Sequence, residues 1–389
     1  MEKSKPKTST EIRTFAAASF LNDFGSDMIY PIWPIFVTTV LGADMSVLGL
    51  VDGIGDAIVS ISQAVSGYFS DKWQRRKVFI WTGYLFGGIS RLGYAFTKFW
   101  PWLIPFRILD RAGKMRGAPR DAIVADLSTD RNRGRNFGLL RMMDNLGAVC
   151  GILTTIFLLN YLGYQHLFLL AAIPSFLSVA LILFFVKERP VAKLKVFKGI
   201  SFRHLSRNFQ IVLWASVIFA SGAFSYSFLL IFAKNEGFAP ATLPMLYLAF
   251  TAIASLTSLP FGKLADRIGR KPVFLLALFC WILVCVSAIF LNGFVAIIAI
   301  FIAYGLHQGA LQPVQKAFVA ELAPPDLRAS ALGGYQMAVG LAALPASLGA
   351  GILWDTFGMT IPFVVSLGLT ILAMIFLSFV KTESAEKYS

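Results

Sequence analysis

The sequence has few charged residues and few cysteines for its length. Charged residues make up 14% of its 389 positions, and hydrophobic residues make up 57%, whereas soluble domains average about 25% charged residues. All three cysteines lie in apolar runs and indicate neither a disulfide framework nor a zinc site. The sequence shows no nucleotide-binding loop, metal-ligand cluster or catalytic triad, so it predicts no enzyme activity, cofactor or metal site.

Apolar segments close to the ~20 residues that cross a bilayer as a helix recur from end to end. They are long and do not alternate, which excludes a membrane β-barrel and predicts an all-α membrane protein. The loops between them are too short for a soluble domain. We expect twelve transmembrane helices, numbered spans 1 to 12, at about 12–40, 47–70, 77–97, 100–126, 135–160, 165–186, 207–235, 240–262, 272–291, 293–322, 329–355 and 360–381.

The basic residues are distributed unequally between alternate loops. Twenty-five Lys and Arg fall in the predicted inner segments, and the predicted outer loops hold only Lys98 and Lys234. The positive-inside rule then places both termini in the cytoplasm, with the chain in the cell (inner or plasma) membrane. The first eleven residues have no small-residue cleavage site and predict a tail rather than a signal peptide. Topology and anionic lipid explain the net charge of +14, so no nucleic-acid partner is implied.

The two halves of the chain repeat at a fixed spacing of 195 residues. The repeated pairs are Gly67 and Gly262, Asp71 and Asp266, Arg75 and Arg270, Val78 and Val273, Phe79 and Phe274, and Asp126 and Glu321. Six spans in each half give both halves the same orientation, which predicts two six-helix bundles related by a pseudo-twofold axis along the membrane normal. We expect the bundles at 12–186 and 207–381, a cytoplasmic linker at 187–206, and tails at 1–11 and 382–389.

The loops after spans 2 and 8 carry one motif. The first copy reads Gly67-Tyr-Phe-Ser-Asp71-Lys-Trp-Gln-Arg75-Arg76-Lys77, and the second reads Gly262-Lys-Leu-Ala-Asp266-Arg-Ile-Gly269-Arg270-Lys271. Both resemble the signature loop of the major facilitator superfamily, although the first has Gln74 where a glycine is usual. The resemblance covers essentially the whole chain and implies a twelve-helix transporter that works by alternating access.

The motif predicts a cytoplasmic gate in each half. The motif aspartate ends a helix, where a carboxylate can accept hydrogen bonds from a neighbouring helix N-terminus. The motif arginine can pair with the carboxylate at the inner end of span 4 or 10, and the glycines allow close helix approach. Positive-inside charge alone would explain the arginines but not the aspartates. The predicted gate residues are Gly67, Asp71, Arg75, Asp126, Gly262, Asp266, Arg270 and Glu321.

Two weaker matches resemble the twelve-helix drug:proton antiporter branch of this superfamily. Tyr30-Pro31-Ile32-Trp33-Pro34 in span 1 is similar to its Pro-x-x-Pro element. Gly138, Gly147 and Gly151 in span 5 reproduce the glycine spacing of the antiporter motif, with Ile152 where a proline is usual. Tight helix packing explains these glycines equally well.

Fourteen charged side chains lie within the predicted spans of the first half. A charge in the bilayer interior costs at least ~2.5 kcal/mol on insertion scales, so these groups must line a cavity or pair with one another. Asp52 starts near the outer surface, where we expect solvent around it. The fourteen are Asp23, Asp27, Asp52, Asp56, Asp110, Asp121, Asp144, Arg91, Arg107, Arg111, Lys114, Arg116, Arg120 and Arg141.

Span 4 carries half of these charges. At ~100° per residue, one face holds Arg107, Asp110, Arg111, Lys114 and Asp121, and the opposite face holds Arg116 and Arg120. In the fold that the resemblance implies, spans 1, 4, 7 and 10 line the cavity, and Arg107 stands where the family has its cavity arginine.

We therefore expect the substrate to contact spans 1, 4 and 10, and a proton to be carried on span 1. The alternative is a network of salt bridges that fixes helix packing, which we favour for Arg116, Arg120, Asp121, Arg141 and Asp144. For His307 we favour packing over proton relay. The predicted substrate-binding residues are Arg107, Arg111, Lys114, Asp110, Tyr30, Tyr304, Gln308 and Gln315, and the predicted proton-coupling residues are Asp23 and Asp27.

These features predict a monomeric secondary active transporter, coupled to protons, for a small anionic or zwitterionic organic solute. Multidrug efflux by proton antiport is the alternative within this class, and both import and export stay open, as does sodium coupling. A non-transporting receptor or a lipid-handling protein is the alternative from another class. A membrane enzyme would need an acid and a nucleophile at a lipid-accessible site, and the sequence shows no such pair. The expected partners are the substrate, the coupling ion and membrane lipid.

Overall fold

The structure is a computed structural model that describes residues 10–129, 132–188, 205–324 and 328–381. The side chains of Asp71 and of residues 328–330 lie outside this description. The predicted linker at 187–206 falls largely outside these ranges, as do the predicted tails.

Every regular element in the described ranges is helical. The first half forms α1 (Thr10–Asp27), α2 (Trp33–Ile35), a π-helical turn (Phe36–Val40), α3 (Met45–Trp73), α4 (Arg76–Phe96), α5 (Leu103–Ala112), a 3₁₀ turn (Gly113–Arg116), α6 (Gly117–Asp126) and α7 (Arg133–Phe185). The second half forms α8 (Arg207–Gly222), α9 (Tyr226–Asn235), α10 (Leu243–Ile268), α11 (Arg270–Phe290), α12 (Gly293–Leu322), α13 (Arg328–Phe357) and α14 (Ile361–Ser378).

Among the described residues, eight helical segments are long and apolar enough to cross a membrane. Seven of them correspond one to one to predicted spans 2 and 7 to 12. The eighth is α7, whose 53 residues cover spans 5 and 6 and are interrupted at Gly163, where φ is 68°. Spans 1, 3 and 4 make up the rest of the predicted twelve and carry many of the buried charges.

The chain forms two compact units. Unit 1 contains α1, α2, α3 from Ile54 onward, and α4 to α7. Unit 2 contains α8 to α14 together with Asp44–Gly53, the segment that begins α3. The predicted division assigned that segment to the first half with the rest of span 2.

Span 1 is not the continuous helix that the sequence predicts. The α-helix ends at Asp27, and helical structure resumes only at Trp33. The cause is local, because Pro31 lacks the N–H that a helix needs and disfavours helical geometry in the residue before it. Pro34 stands in the first turn of α2, where a proline is tolerated. The hydroxyl of Thr155 donates to the Met28 carbonyl at 2.7 Å, which satisfies a backbone acceptor at the interruption.

Span 7 is interrupted at the matching place. Helix α8 ends at Gly222, which is 195 residues after the end of α1 at Asp27. Ala223 is extended, and Ser225 caps α9 by accepting a hydrogen bond from the Ser227 N–H at 3.2 Å. The repeat therefore includes an interruption in the first helix of each half, which the sequence analysis did not predict.

Two of the three glycines of span 5 lie directly against span 1. A Cβ on Gly147 would collide with the carbonyl oxygen of Phe20, and a Cβ on Gly151 would collide with that of Phe24. A Cβ on Gly138 would meet no described atom within 4 Å. Close packing of α7 on α1 accounts for Gly147 and Gly151, which favours the packing interpretation of these two positions.

Helices α4 and α11 correspond at a spacing of 194 rather than 195. Arg76–Phe96 and Arg270–Phe290 have the same length and differ by 194 at both ends. Two residues, Gln74 and Arg75, separate α3 from α4, whereas only Gly269 separates α10 from α11. Gln74 and Gly269 both have positive φ, at 56° and 93°. The same left-handed turn therefore follows α3 and α10, and the additional residue of the first half, Arg75, comes directly after it.

We predict that Gly151→Ala destabilises the protein by roughly 1–3 kcal/mol, since the added methyl group would force α1 and α7 apart. Gly138→Ala is the matched control on the same helix and should be neutral or slightly stabilising. Thermal unfolding of the purified variants in detergent measures both. A Gly151→Ala variant that melts at or above wild type would contradict the packing role.

Candidate functional site

Two arginines of α5 stack on aromatic rings at the interruption of span 1. The guanidinium carbon of Arg107 lies 4.4 Å from the centre of the Trp33 ring, and that of Arg111 lies 4.9 Å from the centre of the Tyr30 ring. Gly55 on α3 leaves room for them, because a Cβ there would lie 3.1 Å from Arg107 Nε. A desolvated contact of this kind contributes about 2 kcal/mol.

Asp110 supplies one negative charge to this group. Its Oδ2 lies 3.5 Å from Arg111 Nε, and both side chains are nearly buried. Arg107 is buried as well. Two guanidinium groups and one carboxylate leave a formal charge of +1, and the half-buried Lys114 follows in the 3₁₀ turn.

Arg91 of α4 binds the end of α1 to the second part of α7. It donates to the Asn22 carbonyl at 3.1 Å, to Ser26 Oγ at 2.6 Å, and to the Ala171 carbonyl at 3.1 Å, and it also bonds the Ser175 hydroxyl. Its guanidinium is thus satisfied inside unit 1, as a buried cation requires. We assign Arg91 to holding α1 just before its interruption.

A second charged group occupies the other side of the 3₁₀ turn. Arg120 lies 2.9 Å from Asp121 and 3.7 Å from Asp144, and it donates to Ser19 Oγ at 2.6 Å. The Arg120–Asp144 pair joins span 4 to span 5, as the salt-bridge interpretation predicts.

Asp23 belongs to this second group. Its carboxylate accepts from Asn22 Nδ2 at 2.9 Å and lies 4.0 Å from Arg116, whose guanidinium stacks on Tyr84. The sequence analysis grouped Asp23 with Arg107 and Arg111, which the structure does not support. Asp27 is half-buried at the last residue of α1.

The face assignment in span 4 was wrong beyond Ala112. It assumed an unbroken α-helix, whereas residues 113–116 form a 3₁₀ turn. A 3₁₀ turn advances about 20° more per residue than an α-helix, so four residues rotate everything after them by about 80°. On this count Arg120 moves toward the face of Arg107 and Asp121 stays near it. Asp121 pairs with the adjacent Arg120 at 2.9 Å.

In unit 2, α12 carries a chain of neutral hydrogen bonds. Gln312 Nε2 donates to Gln308 Oε1 at 3.2 Å, and Gln308 Nε2 donates to Tyr304 Oη at 3.0 Å. Gln315, one turn farther, hydrogen-bonds Tyr335, which also donates to Ser216 Oγ at 2.6 Å.

His307 lies on the other side of α12. It is buried, bonds the Ala277 carbonyl through Nδ1 at 2.7 Å, and packs against Phe219 and Trp281. These contacts support the packing interpretation.

The gate motif forms ion pairs in both units. In unit 2, Arg270 lies 2.6 Å from Asp266 and 3.5 Å from Glu321, and the second contact is the pair that the sequence repeat predicts. In unit 1, Arg76 rather than Arg75 contacts Asp126, at 2.6 Å. The spacing of 194 explains this correction, because Arg76 is the structural counterpart of Arg270.

The gate glycines are not at close helix crossings. A Cβ on Gly67 would lie 3.7 Å from the Ala118 Cβ, an ordinary contact, and one on Gly262 would meet no described atom within 4 Å. The expectation of close approach at these two positions was therefore wrong for this conformation. The side chain of Asp71, the remaining gate residue, lies outside the described part of the chain.

Sequence comparison shows which protein family the chain belongs to. The family profile described as Major Facilitator Superfamily matches residues 15–253 and 227–389. The chain belongs to the major facilitator superfamily. It is accordingly a multi-pass membrane protein of a transporter family, with the twelve-helix fold of that superfamily.

Its relatives within the superfamily include proteins with and without an assigned activity. An uncharacterized MFS-type transporter of Methanocaldococcus jannaschii is 36% identical over 346 residues, which cover 86% of each chain. The multidrug resistance protein MdtH of Photorhabdus laumondii subsp. laumondii is 26% identical over 351 residues, covering 85% of this chain and 84% of that protein. The crystal structure of a mutant of the nucleoside transporter NupG has a TM-score of 0.79 at 17% identity, covering 95% of this chain and 100% of that one.

Sequence reasoning missed Arg76, Gly55 and the stacking of the two arginines. The sequence held one signal that the first half differs near Arg76. Gln74 stands where the motif usually has a glycine, and Gln74 forms the turn that precedes the additional residue. For Gly55 there was no comparable signal. The stacking depends on where span 1 is interrupted, and Pro31 and Pro34 were the only sequence indication of that.

We predict that Arg76→Gln lowers the melting temperature and that the matched Arg75→Gln has little effect. Asp126 is 64% exposed, so the pair should contribute only about 0.5–1 kcal/mol. Adding Asp126→Asn to Arg76→Gln should cost little more than either single change, because both remove one interaction. Equal effects of Arg75→Gln and Arg76→Gln would overturn the assignment.

Proposed function

We propose that this chain is a secondary active transporter that moves a small anionic or zwitterionic organic solute by alternating access, driven by protons. The observation that carries the proposal is the pair of arginines stacked at the interruption of span 1. In transporters, interrupted helices near the membrane centre present unpaired backbone groups to substrate. Here that interruption and two oriented cations occur together within unit 1.

Stacking prepares an arginine for recognition of an anion. A ring that covers one face of a guanidinium fixes the plane of its N–H groups, and a fixed plane suits bidentate binding of a carboxylate or phosphate. The two cations Arg107 and Arg111 favour a solute with an anionic group over a purely cationic one. Tyr30 and Lys114 would then complete the site in unit 1. For unit 2 we propose, from the sequence pattern, that Tyr304, Gln308 and Gln315 offer neutral hydrogen-bonding groups to the solute.

Proton coupling is proposed for Asp27. This residue ends α1 at the interruption and is half-buried. Asp23 is the weaker candidate, because its contacts with Asn22 and Arg116 tie it to the salt-bridge network. A carboxylate beside arginines can change its protonation when substrate occupies those arginines.

The remaining proposals concern topology and gating. We propose that both termini are cytoplasmic, in the inner or plasma membrane, on the basis of the basic inner loops. The ion pairs Arg76–Asp126 and Arg270–Glu321 would stabilise the cytoplasmic ends of spans 4 and 10, with Asp71 and Asp266 contributing to closure. Multidrug efflux is the second candidate function, favoured by the similarity to a protein named for multidrug resistance.

We predict that Arg107→Lys weakens substrate binding about tenfold, equivalent to about 1.4 kcal/mol, since lysine cannot make the bidentate contact. Expression and melting temperature should change little. Arg141→Lys, on an exposed position of α7, is the matched control. Uptake of candidate solutes into proteoliposomes measures the effect. If every good substrate proves to be a bulky cation, the anion assignment is wrong and multidrug efflux is favoured.

We predict that Asp27→Asn abolishes accumulation driven by a pH gradient while sparing downhill exchange. The amide cannot carry the proton but keeps the size of the side chain. Asp23→Asn should instead reduce thermal stability with a smaller effect on coupling. Counterflow and pH-jump assays in the same proteoliposomes separate these outcomes. If both variants still concentrate substrate against a gradient, the coupling residue must be sought at Asp110, Asp144 or His307.

A further inference from the structure

A groove lined mostly by apolar side chains opens on the surface of unit 1, between the end of α4 and the start of α5. Its volume is about 470 Å³, which is within the range of sites that hold a small molecule. None of its lining residues belongs to the proposed substrate site. The lining includes Ile89, Gly93, Phe96, Lys98, Trp102 and Phe106.

The groove lies where the membrane meets water. Helix α4 begins at Arg76, in the ion pair with Asp126, and its 21 residues cover about 30 Å, which is the thickness of the hydrocarbon core. The other end of α4 therefore lies at the membrane boundary opposite the gate motif. Ile89 and Phe96 are two helical turns apart, so the groove runs about 10 Å into the membrane from that boundary.

A glycine gives the groove part of its shape. A Cβ on Gly93 would collide with the ring of Phe106, so the absence of a side chain lets that ring lie against α4. Tyr94 Oη also donates to the Phe106 carbonyl, at 3.4 Å. Packing between α4 and α5 thus forms this side of the groove, without an occupant to hold it open.

Exposed aromatic side chains surround the opening of the groove. Phe96 is 66% exposed, and Phe99 and Trp102 are each more than half exposed, with their ring centres 6.4 Å apart in an edge-to-face arrangement. Aromatic residues are enriched at the level of the lipid headgroups. Such a cluster is unfavourable in water, so it indicates a face that contacts lipid, and an acyl chain is the apolar group that would fill the groove.

Lys98 gives the groove an unmatched positive charge. It is exposed, and none of the described carboxylates pairs with it. No acidic residue lies between Arg91 and Asp110 in the sequence. Asp52, the acidic residue expected to be solvated near the outer surface, is instead 2% exposed and accepts a hydrogen bond from Ser227 Oγ at 2.5 Å, so that expectation was wrong.

Unit 2 lacks both the glycine and the lysine at the corresponding place. Helix α11 ends at Phe290 as α4 ends at Phe96, at the spacing of 194. At this spacing Gly93 corresponds to Ser287, and Lys98 corresponds to Asn292. The repeated fold therefore turns from one helix into the next without either residue, so the fold itself does not explain why unit 1 has them.

We propose that this groove binds one anionic phospholipid, with an acyl chain along α4 from Phe96 toward Ile89 and the phosphate at Lys98. An ammonium group binds phosphate as a point charge. A zwitterionic phospholipid carries its own cation beside the phosphate, so an unmatched lysine favours the anionic class. Phe106 directly precedes Arg107, so the lipid would contact the helix that carries the proposed substrate site, although the inference does not rest on that site.

The test is photocrosslinking in liposomes that contain equal amounts of phosphatidylglycerol and phosphatidylcholine with the same acyl chains. Phe96 is replaced by the photoreactive analogue p-benzoylphenylalanine, and the matched control carries the analogue at Phe290, which is 72% exposed. Mass spectrometry of the protein identifies the attached lipid. We expect phosphatidylglycerol to exceed phosphatidylcholine about fivefold at position 96, the effect of one lysine near the membrane surface, and to follow the bulk ratio at position 290.

Substitutions of the lysine identify the group responsible. Lys98→Gln should return the ratio at position 96 to that of the bulk, whereas Lys98→Arg should keep the preference. Lys234→Gln is the matched control, because it removes the other lysine of the predicted outer loops, and it should also keep the preference.

A bulk ratio at position 96 in otherwise wild-type protein would overturn the proposal, as would an equal preference at position 290 or a preference that survives Lys98→Gln. Position 96 yielding no lipid where position 290 yields it would show that lipid does not enter the groove. Phe99 is the second labelling position if the protein labelled at Phe96 fails to fold. The measurement needs no transported solute, so failure of the proposed function would appear only in the transport assays.

Discussion

A charged side chain in the hydrocarbon interior has no water to bind, and the structure of unit 1 depends on how that requirement is met. Arg91 is satisfied by carbonyls and hydroxyls from two helices, Arg120 by two carboxylates and a hydroxyl, and Arg107 by an aromatic face. Each solution draws on more than one span. The charges therefore bind the bundle together, and both the Arg91 group and the Arg107 group lie at the interruption of span 1.

Unit 2 meets the same requirement with fewer ions. Its interior is an aromatic cluster in which Trp281 packs on Phe224 and donates to Ser366 Oγ at 2.8 Å. Its polar groups are mostly amides and hydroxyls, such as those of Tyr304 and Gln308. The two halves share helix order and helix interruptions. In the described residues, unit 1 holds more of the buried charges and unit 2 more of the aromatic contacts. This asymmetry is consistent with a substrate whose charged end is recognised in unit 1.

Much of the fold was predictable because the sequence features that indicate it are averages over many residues. Hydropathy and the repeat each sum over many residues, and they predicted most of the spans and the Arg270–Glu321 pair. The interruption of span 7 was not predicted, because its sequence signals are weak. Gly222 ends α8, but a single glycine in an apolar run does not by itself end a helix, and Ser225 acts only as a cap. The rotation of span 4 followed from a four-residue 3₁₀ turn. Local propensity does not determine such a turn, because the neighbouring helix also shapes it. The carbonyl of Gly83 in α4 lies so close to Gly113 that it leaves no room for a Cβ there.

The additional residue between α3 and α4 limits how the two halves can be exchanged. In each half the lysine directly after the arginine of the gate ion pair, Arg76 or Arg270, reaches the end of the last helix. Lys77 donates to the Leu183 carbonyl, and Lys271 donates to those of Ser378 and Val380. A chimera spliced at a uniform spacing of 195 would start its third helix one residue out of step. That step rotates the helix by about 100°, which would turn both the arginine and the lysine away from their partners. The two halves share a fold, but their segments cannot be exchanged at a constant residue spacing. A chimera should be joined at the left-handed turn, Gln74 in the first half and Gly269 in the second.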